Sequence, residues 1–168
     1  MKNEGPKVIA DPNNYEARAN IMWAGTMAHT NSCGVGRSQD WNSHNIEHEL
    51  SALYDCAHGA GLAVVFPAWM QYTMNHDVMR FAQLATRVWG CQMDFQNPEN
   101  TAKAGIEALK SFLRSIGMPL TMGELGGKEE DIELMAHTAC FGNGNGGTIG
   151  GFVKLNKEDV ANIYRLTL

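Results

Sequence analysis

The chain has 168 residues, 44% of them hydrophobic and 18% charged, the proportions of a globular protein large enough to bury a core without disulfides. Its formal charge of −5, with thirteen Lys and Arg scattered and in no run, excludes the basic patches of a nucleic-acid binder. The four cysteines, at 33, 56, 91 and 140, form no Cys-x-x-Cys pair, so the expectation is reduced, mostly buried thiols in a cytoplasmic protein rather than a zinc ribbon or redox pair.

In chain order, the opening Met1-Lys2-Asn3-Glu4-Gly5-Pro6 has no apolar stretch behind it, so no signal peptide is expected. Asp11-Pro12 offers an N-cap followed by proline in a first turn. A helix rich in Ala, Met and Trp runs from Tyr15 to His29, and a loop with Gly34 and Gly36 spans Ser32 to Gln39. Asp40-Trp41 reads as the cap of the next helix, Trp41 to Tyr54, with Trp41 as packing. The charge-free run from Gly59 to Asn75 is too polar to span a membrane and reads as a buried helix from His58 to about Met74, kinked or split at Pro67. Val78, Phe81, Leu84, Ala85 and Val88 form a helical stripe up to Trp89. Asn97-Pro98-Glu99 starts a helix whose apolar face runs from Ala102 to Ile116, before Gly117 and Pro119 end it. Two more helices cover Lys128 to Cys140 and Asn156 to Leu166, the last capped by Asn156 with Glu158 and Asp159 in its first turn. Gly142 to Gly151 formally contains G-x-G-x-x-G. It lacks the strand-before, helix-after setting of a dinucleotide loop, so it reads as a flexible connector. Strand alternation is almost absent, and the whole reads as an all-α bundle of about seven helices. Met22, Met27, Met70 and Met74 read as core filler.

Three of the six histidines, His44, His48 and His58, fall within fifteen residues. Imidazole is a common metal ligand and the usual proton shuttle near neutral pH. His44 and His48 lie one helical turn apart on one face. On an unbroken helix His58 would lie ~21 Å beyond His44 along the axis. A shared ion therefore requires the helix to break near Asp55-Cys56-Ala57 and the chain to return, which Asp55, Gly59 and Gly61 permit. His29, His76 and His137 read as ordinary surface or core histidines.

Asn14-Tyr15-Glu16-Ala17-Arg18-Ala19-Asn20, Trp23-Ala24-Gly25, Asp40-Trp41, the H-x3-H-x9-H run from His44 to His58-Gly59, and the closing Gly151-Phe152-Val153-Lys154-Leu155-Asn156-Lys157-Glu158-Asp159-Val160 carry a resemblance. Together they look like the iron-containing (group III) alcohol dehydrogenases, the butanol dehydrogenase branch in particular. That resemblance implies an all-α bundle like the family's C-terminal, dehydroquinate synthase-like, metal-binding domain. In the family a Rossmann-like domain binds NAD(P), and one Asp and three His hold Fe²⁺ or Zn²⁺. His44 and His58 match the last two metal ligands, and His48 matches the intervening histidine beside the nicotinamide, a catalytic proton relay rather than a ligand. The family's upstream Asp-x3-His pair has no counterpart: the first histidine is His29, eighteen residues after Asp11. The resemblance thus implies residues 1–168 as a single helical domain, N-terminally truncated, with the nucleotide-binding domain absent. Only a metal half-site is then expected, NAD(P) should bind poorly, and efficient dehydrogenation of an alcohol or aldehyde is not expected.

Other readings of the same residues compete. His44-Asn45-Ile46-Glu47-His48 is formally H-x-x-E-H, in which both histidines bind zinc and Glu47 is the base of a peptidase. A stand-alone hydrolase would draw on metal-bound water, on Ser32, Ser43 or Ser51 near a histidine, or on Cys56 with His58. A non-catalytic homo-oligomer would follow if apolar surface is left exposed.

Overall fold

The computed structural model describes residues 1–142 and 144–168. Among these, eight α-helices dominate: α1 (Gly5–Ala10), α2 (Tyr15–His29), α3 (Asn42–Tyr54), α4 (His58–Thr73), α5 (Val78–Leu84), α6 (Pro98–Ser115), α7 (Ile132–Phe141) and α8 (Lys157–Arg165). The all-α expectation holds. One two-stranded antiparallel ribbon accompanies the helices, β1 (Thr148–Ile149) against β2 (Leu155–Asn156), with Thr148 opposite Asn156 and Ile149 opposite Leu155. The glycine-rich connector of the sequence reading includes Asn143, which lies outside the described residues; its far end supplies β1. No described helix is long and apolar enough to cross a membrane.

The core is built on α4, which contributes Ala63, Val64, Val65, Ala68, Trp69 and Met70, all buried. Helix α3 adds Ile46 and Leu50, α6 adds Ala102 and Ile106, α7 adds Ile132, Met135, Ala136 and Ala139, and α8 adds Val160, Ala161, Ile163 and Tyr164. Pro67 does not split α4, which runs unbroken to Thr73. Burial holds the Tyr164 phenol protonated far above its ordinary pKa, and its hydroxyl donates to the Ile46 carbonyl, tying α8 to α3.

Several local expectations shift. The cap of α2 is Asn14, whose side chain accepts from the Ala17 N–H, not Asp11. Its methionines are not core: Met22 is 72% exposed and Trp23 66%, and only Ala17 of this helix is buried. Met70 and Met74 do pack inside. Only Cys140 is a buried thiol; Cys33 is exposed, Cys56 and Cys91 are half-buried, and all four are free. The stripe ending at Trp89 finishes as a π-helical turn, Ala85–Trp89, stopped by Gly90 at φ 75°. The segment from Lys128 enters α7 through a single 3₁₀ turn, Glu129–Asp131. Asn156 caps α8 as expected, in a reciprocal box with Asp159.

An ionic clasp joins the end of α6 to the following 3₁₀ turn, Met122–Leu125. The Glu124 carboxylate accepts from the Arg114 guanidinium at 2.5 Å and from the Leu120 and Thr121 N–H groups at 2.8 and 2.9 Å. Arg114 first, then those N–H groups, lower its pKa from 4.5 to about 2. A folded-state value below the unfolded one gives a contribution present in full above pH 4.5 and lost as pH falls towards about 2. Glu124→Gln is therefore expected to flatten the dependence of stability on pH across that window. The check is urea unfolding at several pH values, and equal slopes for wild type and variant would refute it.

Candidate metal centre

Helix α3 is anchored at its start by the closing segment of the chain. The Asp40 carboxylate accepts from the Gly151 and Phe152 N–H groups at 2.7 and 3.2 Å, so contrary to expectation it fastens that segment and does not cap α3. Trp41 occupies the N-cap position without a side-chain cap bond. The buried Asn42 donates its amide to the Val153 carbonyl at 3.0 Å. The φ of 100° at Gly150, where a Cβ would run into the Asn42 amide, lets the two segments meet.

At its far end α3 stops at Asp55, in the left-handed conformation at φ 50° and ψ 36°, and Ala57 is extended before α4 begins at His58. The chain turns back at the break that Asp55 and the residues after it permit, and His58 returns to the histidines of α3. Its ring centroid lies 5.4 Å from that of His44 and 5.3 Å from that of His48. His44 is half-buried; His48 and His58 are exposed.

Burial is the largest influence on His44, followed by the neighbouring His58 and His48 rings, and together they lower its pKa below the ordinary imidazole value. A neutral ring keeps a nitrogen lone pair free to bind a metal, so the shift suits a ligand. The Ser43 hydroxyl is 3.5 Å from His44 Nδ1, at the limit of a hydrogen bond. Trp41 is not core packing: it is 55% exposed and meets His44 edge-on at 4.9 Å. Beside His44 a cleft of about 450 Å³ opens between the end of α2 and Trp41, with Ala28, His29 and Cys33 in its wall. His29 and the exposed Trp41 are thus neighbours of the histidine group that periodicity alone did not associate with it.

Glu47 is the group's one fully buried member. One carboxylate oxygen pairs with His58 Nδ1, and the other accepts from the Ser51 hydroxyl. With His48 and His58 it places three potential donor atoms within 4.8 Å of one another. Both of its oxygens are engaged and it is closed to solvent, which is unsuited to the free base that an H-x-x-E-H peptidase needs. Ser51 faces Glu47 rather than a histidine, Cys56 lies 3.8 Å from the Ser51 hydroxyl, and Ser32 is paired with Thr30. His76 and His137 stand apart from the site, each exposed against a phenylalanine ring, Phe152 and Phe141 respectively.

Residues 2–168 match the model of the Fe-containing alcohol dehydrogenase family, C-terminal. The chain is 39% identical over 163 residues to a probable NADH-dependent butanol dehydrogenase 1 of Bacillus subtilis, covering 97% of this chain and 41% of that one. It is also 39% identical over 162 residues to NADH-dependent butanol dehydrogenase A of Clostridium acetobutylicum, covering 96% and 41% of the two chains. The crystal structure of NADH-dependent butanol dehydrogenase A from Thermotoga maritima superposes with a TM-score of 0.92 at 37% identity, over 99% of this chain and 42% of that one. The chain therefore spans about two fifths of the length of these relatives.

Proposed function

Because this chain belongs to the iron-containing alcohol dehydrogenase family, whose C-terminal region it matches from residue 2 to residue 168, we propose that it is the metal-site half of an NAD(P)-linked alcohol or aldehyde oxidoreductase. The observation that carries the reading is the return of His58 to within 5.4 Å of His44 across the Asp55 turn. Imidazoles suit iron and zinc alike, and burial lowers the His44 pKa, a shift in the direction of the ligating form. In this reading His44 and His58 hold the ion, and the remaining ligands come from outside the described residues. When bound, such an ion supplies Lewis-acid polarisation of the substrate oxygen.

The rest of the work falls to the chain itself. The cleft beside His44 holds the small alkyl part of the substrate against Trp41, Ala28 and Cys33, sheltering it from water. Exposed His48, one turn from His44, passes the hydroxyl proton between the substrate oxygen and solvent. Asp40 and Asn42 keep the start of α3 in register, so that the histidines and the cleft wall stay together. A small alcohol or aldehyde and a divalent cation are the partners this reading assigns, and the cytoplasm the compartment.

A hydride donor must be held against the substrate, and that task belongs to the cofactor and the groups that orient it. These 168 residues alone are therefore expected to reduce butyraldehyde with NADH far below the rate of a full-length relative. Assaying NADH oxidation for the two side by side tests this, and equal rates would overturn it. The exposed Met22, Trp23 and Met27 of α2 give an associating surface, so a homo-oligomer belongs to the same proposal.

A further inference from the structure

Glu47 is 0% exposed, although it adjoins His48 in a helix that carries exposed and half-buried histidines. A buried carboxylate without partners is strongly unfavourable, so its surroundings have to satisfy it. They do so on both oxygens: His58 Nδ1 on one side, and on the other the Ser51 hydroxyl from the next turn of α3. Gly61, buried in the first turn of α4, provides the space. A Cβ at that position would overlap the Glu47 carboxylate and approach its Cγ at 2.8 Å. Three elements of sequence thus converge on one carboxylate: its own helix turn, the returning His58, and a glycine three residues further on.

A carboxylate oxygen facing His58 Nδ1 fits the tautomer in which Nδ1–H donates, and the contact turns the opposite edge of the ring, with Nε2, away from Glu47. We propose that Glu47 is a positioning residue that locks the His58 ring and its tautomer, leaving Nε2 as the only nitrogen able to take a metal ion, with Ser51 steadying the carboxylate and Gly61 making room for it. The proposal rests on the reading of His44 and His58 as ligands. It differs from a reading in which Glu47 itself binds the ion, because both Glu47 oxygens already have partners. Outer carboxylates of this kind orient ligating histidines, and losing one typically weakens metal binding about 10–100-fold.

The test uses Co²⁺ as the probe, titrated into wild type, Glu47→Gln, Ser51→Ala and His44→Ala and followed by visible absorption. Ring-¹⁵N NMR of the metal-free proteins runs beside it. Glu47→Gln should keep its far-UV circular dichroism, bind Co²⁺ about 10–100-fold more weakly, and reach the wild-type absorption band when saturated. Ser51→Ala should weaken binding less, and it carries the same test should Glu47→Gln fail to fold. In the metal-free wild type, His58 should be protonated on Nδ1 and bare on Nε2. In Glu47→Gln, whose amide donates as well as accepts, the proton should redistribute toward Nε2. Wild-type Co²⁺ affinity in Glu47→Gln, with binding lost in His44→Ala, would overturn the proposal and leave the ligand reading intact. A saturated band of different shape would make Glu47 a direct ligand and also overturn it. If neither wild type nor His44→Ala takes up Co²⁺, the ligand reading fails by itself. The NMR arm then decides: an identical His58 tautomer in wild type and Glu47→Gln would remove the positioning role.

Discussion

Leu50→Ala is expected to lower the stability of the fold by about 2–5 kcal/mol, the range for truncating a fully buried leucine. Leu50 is 0% exposed on the inner face of α3, in the same core cluster as Ile46, Tyr164 and Met135. Helix α3 packs on both α4 and α7, so a cavity there cannot close by moving one neighbour alone. The loss should sit at the upper end of the range if the surroundings stay rigid and at the lower end if α7 settles inward. Exposed Leu53, three residues on and 43% exposed, is the control, and Leu53→Ala should change stability by less than about 0.5 kcal/mol. Denaturant unfolding measures both. A cost below 1 kcal/mol for Leu50→Ala would show that α3 is not part of the cooperative core.

Gly105→Ala is the second large effect, and its sign is decided by two opposing terms. Alanine is the better helix former by roughly 0.8–1.0 kcal/mol. Gly105, however, lies on the buried face of α6 where that helix crosses the π turn, and a Cβ there would stand 2.5 Å from the Ala85 Cβ and 2.9 Å from the Ala85 Cα. Backbone cannot swing aside as a side-chain tip can, so α6 must shift, and overpacking of this kind costs about 1–3 kcal/mol. The net expectation is a lower melting temperature. Gly25 in α2 has nothing within 4 Å of its notional Cβ, so Gly25→Ala should raise stability by about 0.4–1 kcal/mol. If both substitutions stabilise, the close crossing at Ala85 is wrong.

What the sequence reveals about this fold depends on how local each cause is. The cap of α8 is legible because Asn156 and Asp159 bond within one turn, and the return at Asp55 because the break is written in adjacent residues. The sequence next to Asp40 suggests a helix cap, but its partners, the Gly151 and Phe152 N–H groups, lie more than a hundred residues downstream, beyond the reach of any local pattern. The methionines of α2 sit in a segment rich in Ala, Met and Trp, but composition does not say whether a partner covers the helix, and here Met22 and Trp23 face solvent. The ribbon of β1 and β2 has two residues in each strand, too few for an alternating pattern to register.

The candidate site divides in the same way. The spacing of His44, His48 and His58 was visible, together with the condition that α3 must end before His58 for them to meet. The position of Glu47 was visible too, but only as part of a five-residue pattern that suggested a catalytic base. Its burial against His58 Nδ1, and the dependence of that contact on Gly61, exist only once α4 is folded back on α3.

The central claim is that His44 and His58 form a working metal half-site, and elemental analysis of the purified protein beside His44→Ala tests it most directly. With only two of the ligands present, less than one iron or zinc per chain is expected in the wild type, and clearly less still in the variant. Absence of metal from both, or equal metal in both, would contradict it.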